Sequence, residues 1–524
     1  MSPRLLTLTA IATALACGQA AHQEPTPVVT PPATPSVAPT PYRGAGAITA
    51  EGVQRRIFLI ADDSMGGRGT PSPGLEKMAA YVASEFGRLG LVPGGDGRTF
   101  LQRYPLEIYR LAPESSAVWA TGRAPGRWQM GNDISLGEGQ PPTGEVAGGV
   151  TLLGGDPQQG GSLDSAAVTG KFVILALGPS TNAIAAQVIP LRPAAAILLL
   201  PDSVWSKAPG LATIRVVNPD EHQSPFSLPP VVYASERTLA TWLAQAGANR
   251  AALGVTGRLT ATPLAQSTLH LRLVQQLIEH ASAPNVVGIL PGSDPTLRDE
   301  YVMFTGHMDH IGTASSGQGC TAKGADTICN GADDDGSGSV AVLELAQAFA
   351  SAPERPRRSL VFMTVSGEER GLWGSAYWAA HPTVPLDHVI ADLNSDMVGR
   401  SDTLKDSVVV IGREHSDLGA TLDRIATLHP ELHMTPVGDR WPQEGLYFRS
   451  DHYNFARKGV PVLFFTSGLH PDYHEVSDGP DKIDAEKEAR FVRLVYYLGL
   501  AVANATERPQ WNPDSYRKVV QGQN

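Results

Sequence analysis

The chain has 524 residues, a formal net charge of −11 and no long basic run, so two or more domains are expected and a nucleic-acid partner is disfavoured. Its 42% hydrophobic and 18% charged residues suit globular protein, and 54 Gly with 42 Pro imply many loops. No stretch reaches 18 uninterrupted apolar residues, which argues against a transmembrane helix.

In chain order, residues 1–17 read as a signal peptide: Arg4, an apolar run from Leu5 to Ala16, then Cys17. Ala14-Leu-Ala-Cys17 resembles the lipobox of bacterial lipoproteins, which implies lipidation of Cys17 and a membrane anchor. The expected location is therefore outside the cytoplasm, lipid-anchored at a bacterial cell envelope or secreted. Residues 18–45 are rich in Pro, Thr and Ala and read as a linker. Residues 46–110 begin the folded part. Leu75, Met78, Ala79, Val82, Phe86 and Leu89 recur at helical spacing and Gly90 stops the helix. Gly66 to Thr70 reads as a loop and Thr99 to Leu106 as a strand.

Residues 111–265 change to short strands with few reactive side chains. Lys171 to Leu177, Ala194 to Pro201 and Leu228 to Tyr233 are its strand landmarks. Their succession resembles the protease-associated domain, a β-rich insert.

From 266 to 510 apolar strands alternate with helices, ahead of a tail over 511–524. The fold class is α/β, a mostly parallel or mixed sheet with helices on both faces. Strands over 285–290, 300–305, 359–365, 389–393, 408–411 and 460–465 alternate with helices over 339–350, 372–380, 416–428 and 485–503. Ligands gather beyond the carboxyl ends of such strands. His307, Glu368, Glu369, Asp396 and His474 each follow a strand, and Asp333-Asp-Asp335 precedes a helix. Three adjacent Asp repel one another unless a cation neutralises them. Two His and three carboxylates are the ligand set of a two-metal hydrolytic site, with Zn²⁺ the best match. Asp309, two residues past His307, is placed to orient its imidazole, and Glu368 to act as general base.

His307-Met-Asp309, Gly331 to Gly338, Ser366 to Ser375, Asn394 to Gly399, Ser450-Asp-His452 and Asp472-Tyr-His474 together resemble the co-catalytic zinc aminopeptidases, relatives of aminopeptidase Y, bacterial leucyl aminopeptidase and glutamate carboxypeptidase. Gly67-Arg-Gly-Thr70 resembles the N-terminal signature of that family. The resemblance implies a phosphorylase/hydrolase-like zinc exopeptidase core, two Zn²⁺ per chain and peptide substrates. It implies that Asp334 bridges the ions, that His307 and Asp396 hold one, and that Glu369 and His474 hold the other. Glu368 matches the general acid/base, Asp309 the His orienter, and Tyr473 a phenol that steadies the oxyanion. Asp333 and Asp335 are left as flanks of lesser role. Carboxypeptidase or dipeptidase action on the same fold, a glutaminyl cyclase and a non-catalytic binding protein are the alternatives.

Cys320 and Cys329 are a disulfide candidate. His310 reads as a loop residue near the site, His452 as structural support, and His270, His280, His381, His415 and His429 as surface residues. Trp373 and Trp378 read as core. Arg449 has two readings, a contact to a substrate carboxylate or a structural ion pair.

Overall fold

The computed structural model describes residues 43–522, apart from 138–143, 206–213, 220–228, 317 and 402–403. Cys17 and the 1–17 leader lie outside the described residues, as does nearly all of the 18–45 linker.

The described chain forms two compact units. One holds residues 105–281; the other holds the chain up to Tyr104 together with Ser282–Asn524. The first is wider than the 111–265 expected because two long strands, Leu101–Leu111 and Gln275–Leu290, carry the chain between the units without a break. A change of composition marks where the side chains change, not where such a strand ends.

The 105–281 unit is built on an eight-stranded sheet in the order 126–129, 117–122, 260–272, 145–154, 172–176, 195–200, 231–235, 134–136. The three landmark strands run side by side and parallel. Buried Phe172, Ile174, Ile197, Leu199 and Val232 from these strands join Trp128 and Trp242 in one apolar cluster.

In the other unit the strands lie in the order 435–437, 407–411, 462–466, 389–395, 301–307, 359–365, 275–290, 101–111. The four central strands, from 462–466 to 359–365, are mutually parallel, and 275–290 and 407–411 flank them antiparallel, so the sheet is mixed. Central strands such as Ser359–Val365 are buried at every position, which is why they read as unbroken apolar runs. The Gly338–Ser351 helix is buried from Gly338 to Phe349. A Cβ at Gly338 would lie 2.1 Å from the Ser395 carbonyl oxygen, so only glycine lets the helix start there. Trp378 is fully buried edge-on against Phe455, as core.

Candidate metal centre

Parallel register aligns the carboxyl ends of the central strands. His307 pairs with Val365 at the end of its strand, and Thr305 with Asn394 in the next. Glu368 and Glu369 therefore leave the sheet one turn past Val365, Asp396 leaves just past Ser395, and the 467–478 loop leaves after Thr466. The side chains singled out in the sequence meet at this edge.

They form two groups of metal-type donors. One is His307, Glu368 and Asp396; the other is His310, Asp334, Glu369 and His474. Asp334 touches both. Its Oδ1 lies 3.4 Å from His307 Nε2, and its Oδ2 lies 3.2 Å from His474 Nε2 and 3.8 Å from His310 Nδ1. His307 Nε2 is also 3.6 Å from Asp396 Oδ1 and 4.0 Å from Glu368 Oε2. His474 Nε2 lies 3.0 Å from Glu369 Oε2.

The electrostatics follow from this crowding. Burial alone would lower the His307 pKa, yet Glu368, Asp396 and Asp335 raise it well above its ordinary value. Burial acts the same way on His474, and Glu369 and Asp334 override it upward. Asp334 shows the converse: burial pushes up, but the facing His307 and His474 imidazoles hold it well below the usual carboxylate range. Glu368 is raised well above that range by burial, which the His307 imidazole at 4.0 Å only partly offsets and the Glu369 and Asp396 charges reinforce.

Whether these residues suit a metal is testable on the buried polar atoms. Asp334 Oδ2, His310 Nε2 and His474 Nε2 are buried without a hydrogen-bond partner, although unpaired buried polar atoms are rare. Two imidazoles and carboxylates facing one another around them are the donor set of Zn²⁺. The residues fit.

Around the donors runs a frame of hydrogen bonds. His307 Nδ1 lies 3.2 Å from the Asp309 carbonyl oxygen and 3.6 Å from its carboxylate, so Asp309 orients the ring mainly through its backbone. The Asp309 carboxylate instead accepts from Thr70 Oγ1 at 2.8 Å and from the Glu368 N–H at 3.3 Å. Arg68 is fully buried and donates to the carbonyls of Ile60, Met308, Asn330 and Gly331 at 2.6–2.9 Å. Gly66, Gly67 and Arg68 all have positive φ and break the short turns over Asp63–Arg68, in keeping with the loop expected from Gly66 to Thr70. A Cβ at Gly67, where φ is +63°, would lie 2.3 Å from the Gly312 carbonyl oxygen.

Two expectations change. His310 is buried, and its Nδ1 hydrogen-bonds Glu369 Oε1 at 2.7 Å; it belongs to the site rather than beside it. Asp333 and Asp335 are not lesser flanks. Asp335 accepts the N–H groups of His307, Gly338 and Met397 at 2.7–3.1 Å. Asp333 accepts the Gly399 N–H at 2.7 Å and faces His470 Nε2 at 3.2 Å. Asp478, which carried no sequence signal, accepts the N–H groups of both Asp333 and Asp334.

The remaining readings fall as follows. Cys320 and Cys329 are disulfide-bonded and packed with Ile311 and Val476. Tyr473 stacks on His474 with ring centres 3.9 Å apart, and burial beside Asp334 and Glu369 raises its phenol well above its ordinary pKa. His452 is buried and stacks on Phe464. His270, His415 and His429 are half-buried rather than surface residues, and each stacks on or packs against an aromatic ring. The cleft over the centre is walled by Met397, Leu446, Phe464, Leu469, Arg449 and Tyr473 beside the donors.

A family model described as Peptidase family M28 matches residues 285–499. A probable leucine aminopeptidase of Trichophyton verrucosum is 27% identical over 231 residues, 43% of this chain and 58% of that protein. Leupeptin-inactivating enzyme 1 of Streptomyces exfoliatus is 30% identical over 192 residues, 36% of each chain. The chain thus spans 58% of the length of the first of these curated relatives and 36% of the second. Among solved structures, an aminopeptidase from Aneurinibacillus sp. strain AM-1 superposes with a TM-score of 0.52 at 18% identity, covering 90% of this chain and 97% of that one; this likeness is one of fold.

Proposed function

From the premise that residues 285–499 place this chain in peptidase family M28, among the co-catalytic zinc aminopeptidases, we propose that it is a zinc-dependent aminopeptidase releasing N-terminal residues from peptides. The observation that carries this reading is Asp334, one carboxylate facing two groups of metal donors from its two oxygens. That arrangement supports two ions, one held by His307 and Asp396, the other by Glu369 and His474, with Asp334 shared. Zinc bound there supplies Lewis acidity, which makes water nucleophilic near neutral pH and polarises a carbonyl.

The chain's own residues supply the rest. Glu368 takes the proton of the attacking water and returns it to the leaving amine. Its backbone is held by the Asp309 carboxylate and His307 by the Asp309 carbonyl oxygen, so the base and one ligand are positioned by a single residue. The Tyr473 phenol, kept protonated by its raised pKa, donates to the oxygen that gains charge. Carboxylates at the cleft floor receive a free substrate ammonium. The apolar wall of Met397, Leu446, Phe464 and Leu469 suits an apolar first side chain.

The test compares amides with free and blocked N-termini, with chelator and with zinc restored. Cleavage of the free forms alone, lost with chelator and regained with zinc, is expected; cleavage of blocked forms alone refutes the aminopeptidase reading. Glu368→Gln should keep its zinc and lose about 10²–10⁴-fold in kcat.

The 105–281 unit is proposed as a protease-associated insert on its three strand landmarks. Export with lipidation at Cys17 is proposed from the leader, and a buried disulfide suits an oxidising compartment. Release of Cys17→Ala protein from the membrane fraction tests the anchor.

A further inference from the structure

Among the described residues, Arg449 is the one Lys or Arg in the wall of the cleft. Carboxylates of Asp334, Glu368 and Asp396 line its floor, apolar side chains line one side, and Arg449 stands beside Tyr473. The Arg449 guanidinium is poorly occupied. Its ion-pair contact, Glu444 Oε2, lies 3.7 Å away, and both side chains are about two-fifths exposed (42% and 43%). That distance is beyond hydrogen-bond length, and exposed pairs of this kind hold weakly. The planar fork of five N–H donors is therefore available to a better acceptor, and a carboxylate matches it with two parallel bonds.

We propose that Arg449 selects substrates carrying a carboxylate just past the scissile bond. The inference rests on the aminopeptidase reading above and adds the class of substrate. A dipeptide spans only about 7 Å from its amine to its carboxylate at some 3.5 Å per residue, so an ammonium on the cleft floor leaves the carboxylate at the wall. The carboxylate is either the C-terminus of a short peptide or the side chain of an acidic second residue. Beside Arg449 the wall offers only the Thr466 and Tyr473 hydroxyls and apolar side chains, none of which carries a positive charge to match a carboxylate.

Four substrates separate these cases: Leu-p-nitroanilide, Leu-Ala, Leu-Ala amide and Leu-Glu amide. Wild-type kcat/KM should favour Leu-Ala over its amide tenfold or more if the terminal carboxylate is read, and Leu-Glu amide over Leu-Ala amide if the side chain is. Arg449→Met should erase that ratio, and Arg449→Lys should restore part of it. The ratio between substrates is the readout, so a general loss from misfolding does not imitate it. Cleavage of Leu-p-nitroanilide with no carboxylate preference, or a preference that survives in Arg449→Met, overturns this inference and leaves the aminopeptidase standing. Hydrolysis of none of the four by the zinc-loaded wild type overturns both.

Discussion

Arg68 offers the sharpest test of how the metal edge is assembled. Its guanidinium binds the carbonyls of Ile60, Met308, Asn330 and Gly331, so it ties the segment after His307 to the segment before Asp334. Replacing it with Met keeps much of the volume and strands four buried acceptors. Hydrogen bonds to a charged donor contribute about 1.5–3 kcal/mol each, but removing the guanidinium also ends the cost of burying a cation. Taking about 1 kcal/mol per stranded carbonyl gives a loss near 4 kcal/mol, a large share of a typical domain's 5–15 kcal/mol. Arg68→Lys presents three donors on one nitrogen, which cannot span four carbonyls, and should lose roughly half as much. The assay is guanidinium unfolding of zinc-free protein, with zinc retention after dialysis as the second readout. Both variants should release zinc more readily, because His307 and Asp334 no longer share a brace. A loss under about 1 kcal/mol with zinc retained would refute the argument.

Three further perturbations follow from the same frame. The double variant Cys320→Ser, Cys329→Ser should lose about 2–3 kcal/mol, the loop-closure effect of a nine-residue separation, read as a drop of several degrees in Tm; an unchanged Tm contradicts it. Asp335→Asn sets an amide N–H₂ against backbone N–H donors, so zinc affinity should fall by tenfold or more although Asp335 stands in neither donor group; wild-type affinity would show that the three N–H contacts do not matter. Burial lowers the His452 pKa to about 3, so the unfolded chain takes up a proton below about pH 6.5 that the folded chain refuses. Its contribution is complete above pH 6.5 and is lost towards pH 3, at up to about 1.4 kcal/mol per pH unit. The stability difference between wild type and His452→Phe should therefore shift by that slope between pH 6.5 and 4, and a flat difference is the contrary result.

Most of the donors were legible in the sequence because they follow a buried strand, and Asp334 because its run of Asp precedes a helix; an apolar run is visible without knowing its neighbours. The bracing was not. Arg68 meets Asn330 and Gly331 across more than 260 positions, and Asp478 meets Asp333 and Asp334 across about 145. Such contacts are made to backbone atoms, so they leave no complementary side chain to notice. His310 was misjudged for a related reason. Its neighbour at His307 already filled the expected ligand position, and only the folded chain shows Glu369 within 2.7 Å of its ring. The unit boundary at Pro105 and Ala281 was hidden because two strands pass through it unbroken.

The run Asp333-Asp-Asp335 shows how consecutive like charges can be buried together. Successive side chains leave a non-helical backbone in different directions, and here each carboxylate finds a different set of partners. Asp335 turns towards the sheet and takes N–H groups from the ends of two neighbouring strands and the start of a helix. Asp333 turns the opposite way, to the Gly399 N–H and His470. Asp333 Oδ2 and Asp334 Oδ2 are both left without a hydrogen bond, the first facing His470 and the second facing His474 among the metal-type donors. The two outer carboxylates have backbone N–H groups and an imidazole as partners, which leaves the middle one facing the donor groups at the floor of the cleft. A cation is thus required at one of three positions rather than at all three. The outer pair fixes where that position lies by binding the same strand ends that deliver His307 and Asp396.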